Sequence, residues 1–156
     1  MLTEKDYCDY DTCVALKELG FDEKCLAYYD SEDNVGLLYN EEYSSAFYSV
    51  QYTDLLESHN VRPDGCIDAP TLYEAQKWLR EGKEVYVTVI PEYNEFSPIK
   101  GVKYRLEVAH WKDDEFGYET IEWLDEECPY TIITFDSYEE ALSEGIKGAV
   151  KILKEK

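Results

Sequence analysis

The clearest periodicity in this chain lies in its C-terminal half. At 102–110, Val102, Tyr104, Leu106 and Val108 fall on one side, and Lys103, Arg105 and Glu107 on the other. That period of two belongs to a half-buried strand. Just upstream, VYVTVI at 85–90 is rich in β-branched side chains and predicts a strand buried on at least one face, closed by Pro91. Segments 118–124 and 130–135 extend the series into a meander. Helical spacing brackets these strands. Leu72, Ala75, Trp78 and Leu79 recur after Thr71 and Glu74, whose spacing predicts a capping box, and the helix is expected to end at Gly82. Ser137 and Glu140 repeat that signal. The helix they open is expected to run to about Leu153, with Ala141, Leu142, Gly145, Ala149, Ile152 and Leu153 on one stripe.

The N-terminal half is more broken. DTCVALKEL at 11–19 predicts a short helix, with Gly20 as the left-handed residue that ends it and Phe21 as the following apolar anchor. Segment 25–30 reads as a strand, 31–34 as a turn and 35–39 as a return strand. Segment 41–60 fits two patterns. Tyr48, Val50 and Tyr52 share one face of a strand, with Thr53 capping a helical turn through Leu55 and Leu56, while one longer helix fits as well. NVRPDGCID at 60–68 reads as a loop around a Pro-Asp-Gly turn. Short linkers favour antiparallel connections. The expectation is an α+β fold over 1–156 as a single domain: an antiparallel sheet of about four to six strands, with two or three helices packed on one face.

Charge narrows the class of partner. The chain of 156 residues carries 35 acids against 15 bases, a net charge of −20, together with 15 tyrosines. Disordered acidic tails are poor in aromatics, so this composition predicts a folded domain with a strongly negative surface. Such a surface argues against direct contact with nucleic acid or an anionic membrane and leaves a basic protein, a cation or a small ligand. Neither a signal-type apolar run nor a stretch approaching the ~20 apolar residues of a membrane span occurs, so a cytoplasmic location is expected. Residues 113–127 hold eight acids and no base. Trp111 stands just before that stretch and Trp123 within it. Trp111, Asp113, Asp114, Glu115, Trp123, Asp125, Glu126 and Glu127 are therefore the expected interaction surface, because aromatic side chains are enriched at contacts.

Candidate chemistry is sparse. The five cysteines Cys8, Cys13, Cys25, Cys66 and Cys128 are odd in number and lack CxxC spacing, which fits reduced thiols better than a disulfide framework or a zinc knuckle. Cys66 and His59 form a weak nucleophile–base pair in sequence. Asp30, Glu32, Asn34 and Glu41 occupy positions 1, 3, 5 and 12 of a calcium-loop pattern. The glycine comes one place late, however, and a strand reading precedes the loop where a helix is required, so a polar hairpin turn is favoured. Phosphate-binding glycine loops and the GxSxG nucleophile turn are both missing, and no cofactor is expected.

Three phrases, KELGFDEKCLAYYD at 17–30, IDAPTLYEAQKWLRE at 67–81 and ITFDSYEEALSEGIKGAVKIL at 133–153, occur in an order that resembles a family of small hypothetical proteins found in gut bacteria of the Bacteroides type and in their phages and mobile elements. The resemblance implies a cytoplasmic protein carried on mobile DNA or by its host, and it implies no activity, substrate or catalytic residue. Together these readings favour a non-enzymatic module that engages a basic protein, mimicry of DNA charge being one form of that role. The alternative is a small ligand-binding domain or enzyme with a cleft between sheet and helices.

Overall fold

The structure, a computed structural model, describes residues 2–29, 37–39, 65–93, 101–111, 118–122 and 133–155, with the backbone alone at 37–39, 111 and 118–122. Among the described residues, three α-helices and seven strands make it an α+β protein. The strands divide into two antiparallel sheets of three and four, where the periodicity had suggested one. The chain correspondingly forms two compact units, Met1–Glu74 and Ala75–Lys156.

The first unit opens with a 3-10 turn at Glu4–Asp6, followed by α1 at Tyr10–Glu18. The Asp9 side chain caps α1 by accepting from the Thr12 N–H at 2.9 Å. At the other end Gly20 takes φ +98°. Its N–H donates to the Lys17 carbonyl at 3.0 Å, and the Phe21 N–H donates to the Leu16 carbonyl at 2.9 Å. This paired closure satisfies two orphan carbonyls and brings Phe21 and Leu16, both buried, to the helix end. Strand β1 (Ala27–Tyr29) lies between β2 (Leu37–Tyr39) and β3 (Ile67–Ala69). The register pairs Tyr29 with Leu37 and with Ile67. Strand β3 corrects the loop reading of 60–68. Ile67 and Ala69 are buried, and the pairing with β1 organises a three-residue segment too short to show periodicity by itself. The Cys8 N–H donates to the Pro70 carbonyl at 3.0 Å, tying the N-terminal strand-like segment to the end of β3.

Helix α2 (Leu72–Lys83) begins with the expected capping box. The Thr71 N–H donates to Glu74 Oε2 at 2.8 Å, and the Glu74 N–H donates to Thr71 Oγ1 at 3.1 Å. Gly82 lies inside the last turn, and Glu84 (φ +55°) takes the left-handed position that ends the helix.

The second unit is built on β4 (Val85–Tyr93), β5 (Val102–Trp111), β6 (Tyr118–Glu122) and β7 (Thr134–Phe135), covered on one face by α3 (Tyr138–Lys154). Strand β5 is central, with β4 on one side and β6 and β7 on the other. Val87 pairs with Val108, and Val89 with Leu106. Val85, Val87, Leu106 and Val108 are buried together with Ala141, Leu142, Ile146, Ala149 and Val150 of α3. Lys103, Arg105 and Glu107 take the opposite face, as the alternation predicted. Helix and sheet approach most closely at Gly145. A Cβ built there would stand 2.4 Å from Val87 Cγ1 and 2.6 Å from Leu106 Cδ1, well inside contact distance. The Ser137 side chain caps α3 by accepting from the Glu140 N–H at 3.1 Å. No helix among the described residues is long and apolar enough to cross a membrane.

Candidate functional site

Pro91 does not close β4, which runs two residues further to Tyr93. The reason is positional. Gln76 of α2 donates through Nε2 to the Val87 carbonyl at 2.8 Å, so the backbone polar groups of Val87 point away from β5. Residues two and four further along point the same way, Pro91 among them. Its missing N–H therefore falls on the side where β4 pairs with no other described strand. Among the described residues, Gln76 and Pro91 together blunt this edge of β4 against strand addition.

Along this edge runs a cleft of about 250 Å³, lined by Gln76, Arg80, Tyr86, Val87, Thr88, Val89 and Tyr138. Its lining combines two valines with a guanidinium, an amide and hydroxyls. Arg80 lies 3.8 Å from Glu81 with both side chains well exposed, a contact that holds the guanidinium only loosely. Among the described residues the lining has no carboxylate, imidazole or thiol. It offers hydrogen-bond donors and aromatic rings to a bound group. Tyr86 is exposed, because its parity puts it on the face opposite Val85 and Val87. The alternation within VYVTVI was the signal for both Tyr86 and Thr88.

On that opposite face Arg105 joins two acids. Its Nε donates to Glu92 Oε1 at 2.9 Å and its Nη1 to Glu107 Oε1 at 2.8 Å. The hydrogen bond to Glu107, aided by that to Glu92, holds the guanidinium pKa above its ordinary value. Lys103 pairs with Asp136, and Lys147 with Glu144 at 3.3 Å. Three bases of this unit are thus engaged by its own acids.

The thiols of the first unit are packed away. Cys8, Cys13, Cys25 and Cys66 are buried and reduced. The Cys13 thiol donates to the Cys8 carbonyl at 3.6 Å, and the Tyr29 hydroxyl donates to the same carbonyl at 2.9 Å. Tyr10 meets the Tyr29 ring edge-on, with centroids 5.7 Å apart. Burial, reinforced by neighbouring ionisable groups, pushes the pKa of Cys13 and that of Tyr29 upward. A thiol so placed is a poor nucleophile and a poor metal ligand. Among the described residues no three His, Cys, Asp or Glu side chains are grouped to hold a metal.

Of the interaction surface expected from sequence, Trp111 ends β5, paired in register with Tyr118 of β6. Asp113, Asp114, Glu115, Trp123, Asp125, Glu126 and Glu127 lie outside the described residues, as does His59. The calcium-pattern residues Asp30, Glu32, Asn34 and Glu41 also lie outside them. Strand β1 ends just before that span and β2, its antiparallel partner, falls within it, whereas a helix–loop–helix calcium site requires a helix before the loop and no strand inside it. Comparison of the chain with protein-family models, with curated proteins and with solved structures finds no match.

Proposed function

We propose that this chain is a non-enzymatic interaction module, cytoplasmic and belonging to a mobile element or its host, whose acidic surface engages a basic protein. One observation carries the reading: a net charge of −20 on a folded α+β scaffold. The ion pairs of Lys103, Arg105 and Lys147 support it, since bases engaged by internal carboxylates leave the surplus of acids to dominate the outer field. Such a field accelerates encounter with a cationic partner and weakens as salt screens it. Affinity capture from host lysate at low and moderate salt tests the reading. It expects a basic protein whose recovery falls with ionic strength, and recovery of none at either salt refutes it.

The cleft beside Arg80 favours a second reading, a site for a small anionic ligand. Its volume of about 250 Å³ falls below the roughly 300–1,000 Å³ of ordinary ligand pockets, which ranks it second. A thermal-shift series with phosphate and small carboxylates checks it, and stabilisation lost in Arg80→Gln would favour it.

A further inference from the structure

We propose that the tyrosine-bearing end of the second sheet, formed by Tyr93, Val102, Tyr104 and Tyr138, docks arginine side chains of a basic protein segment. The proposal rests on the basic-partner reading above and gives that partner a place to bind.

Helix α3 covers the inner face of the sheet over Val87 and Leu106, where Gly145 seats it. It begins only at Tyr138, whose ring meets Tyr104 edge-on with centroids 6.0 Å apart. The strands continue past that point. Pro91 pairs with Tyr104 and, one same-face step further, Tyr93 pairs with Val102. Tyr93 is left 67% exposed, Val102 46% and Tyr138 41%. These side chains share one face and form a contiguous patch, unlike the singly scattered apolar residues of an ordinary surface. Tyrosine is also the residue type enriched where proteins meet.

The charge around the patch selects the occupant. Glu139 and Glu140 are exposed in the first turn of α3 and supply the rim's charge, while Asp136 beside them is paired with Lys103 of the neighbouring strand. A partner that is acidic, or a nucleic acid, meets repulsion from this rim and from the whole chain. A cationic side chain meets carboxylates at the rim and ring faces in the middle. Arginine suits both, because its planar guanidinium stacks on an aromatic face while its edge donates to carboxylates. Lysine supplies the charge without the planar stacking.

Titration of the full chain with oligo-arginine, oligo-lysine of equal length and oligo-glutamate tests this, followed by calorimetry and by backbone amide shifts. The expected result is tighter binding of oligo-arginine than of oligo-lysine, none of oligo-glutamate, and the largest shifts at Tyr93, Val102, Tyr104 and Tyr138. The double substitution Tyr93→Ser with Tyr138→Ser leaves the net charge unchanged, so the long-range field is preserved. It is expected to weaken oligo-arginine binding by about five- to thirtyfold, the combined effect of two exposed cation–ring contacts. A circular-dichroism melt of the variant checks its folding. If wild type and variant bind oligo-arginine equally, or if arginine and lysine peptides bind alike, the docking face is refuted while the basic-partner reading stands. If wild type fails to bind oligo-arginine at moderate salt, both fall. If the free chain sediments as a dimer that the tyrosine substitutions dissolve, the face belongs to a second copy and the proposal is overturned.

Discussion

Replacing Gly145 with alanine sets two opposing effects against each other at one position. In an exposed helix interior the change would stabilise by about 1 kcal/mol, because alanine restricts the unfolded backbone and has the highest helix propensity. Here the new methyl would sit 2.4 Å from Val87 Cγ1 and 2.6 Å from Leu106 Cδ1. Carbon atoms in contact prefer about 3.5–4.0 Å, so more than an ångström must be recovered on two sides at once. Leu106 can swing a terminal methyl. Val87 cannot, since it is β-branched, buried and held on a strand. Helix α3 must therefore lift from the sheet, or Val87 must leave its rotamer. Overpacking costs roughly 1–3 kcal/mol, and a clash on two sides, one of them against a β-branched neighbour, places it at the upper end, about 2–3 kcal/mol, which exceeds the propensity gain. The expected net loss is about 1–2 kcal/mol, read as a lower urea midpoint and a fall of roughly 2–8 °C in Tm. Gly82→Ala is the control. It lies in α2, and a Cβ there meets nothing closer than Trp78 Nε1 at 3.8 Å. It should stabilise by about 0.5–1 kcal/mol. Adding Val87→Ala to Gly145→Ala should recover part of the loss, giving a favourable coupling of about 1 kcal/mol in the double-mutant cycle. Gly145→Ala as stable as wild type would refute the close approach of α3 to the sheet.

Further substitutions test the caps and the packed phenol. Glu84→Gly should raise stability by about 0.5–1 kcal/mol by removing a side chain from a left-handed backbone, and a lower urea midpoint would count against the assigned φ. Thr71→Ala should cost about 1 kcal/mol by opening the capping box of α2, measured by chemical denaturation. Tyr29→Phe should cost about 1 kcal/mol through loss of the bond to the Cys8 carbonyl. Because the folded-state pKa values of Cys13 and Tyr29 lie above their ordinary 9.0 and 10.0, their contribution is fully present at neutral pH. It declines once pH passes those ordinary values, where the unfolded chain releases protons that the folded chain retains. Urea midpoints from neutrality to about pH 11 should therefore fall on the alkaline side, less steeply in Cys13→Ala and Tyr29→Phe. Equal slopes in wild type and variants would dismiss this linkage.

Much of the secondary structure was legible because its causes are local. Asp9 is one such cause that sequence inspection passed over, although Asp followed by a helical run is an ordinary N-cap signal. Thr71 with Glu74, and Ser137 with the Glu140 N–H, cap their helices through groups three residues apart. Gly20 ends α1 for a reason contained in a single residue's φ. Strand β3 was illegible because three residues hold too little pattern, and its pairing partner lies some forty residues upstream. The candidate site was less legible than the fold. The sequence directs attention to the acidic stretch beyond Trp111, where charge density is greatest. The tyrosine patch draws on side chains from β4, β5 and the first turn of α3, and nothing in linear spacing brings Tyr93, Tyr104 and Tyr138 to one face.

By itself the sequence determined the charge, the helix boundaries set by caps, and the inner and outer faces of β4 and β5, because each depends on residue type or on neighbours a few positions away. Only the tertiary structure decided that the described strands form two sheets, that Pro91 falls on the side where β4 pairs with no other described strand, that Gly145 is the point where α3 touches Val87 and Leu106, and that Tyr93, Val102 and Tyr138 are exposed. Those outcomes depend on which distant segments pair and on where a helix begins over a sheet. Partner choice is a competition among nonlocal contacts whose closure entropy and burial are set by the whole chain, and no single stretch of sequence encodes its result.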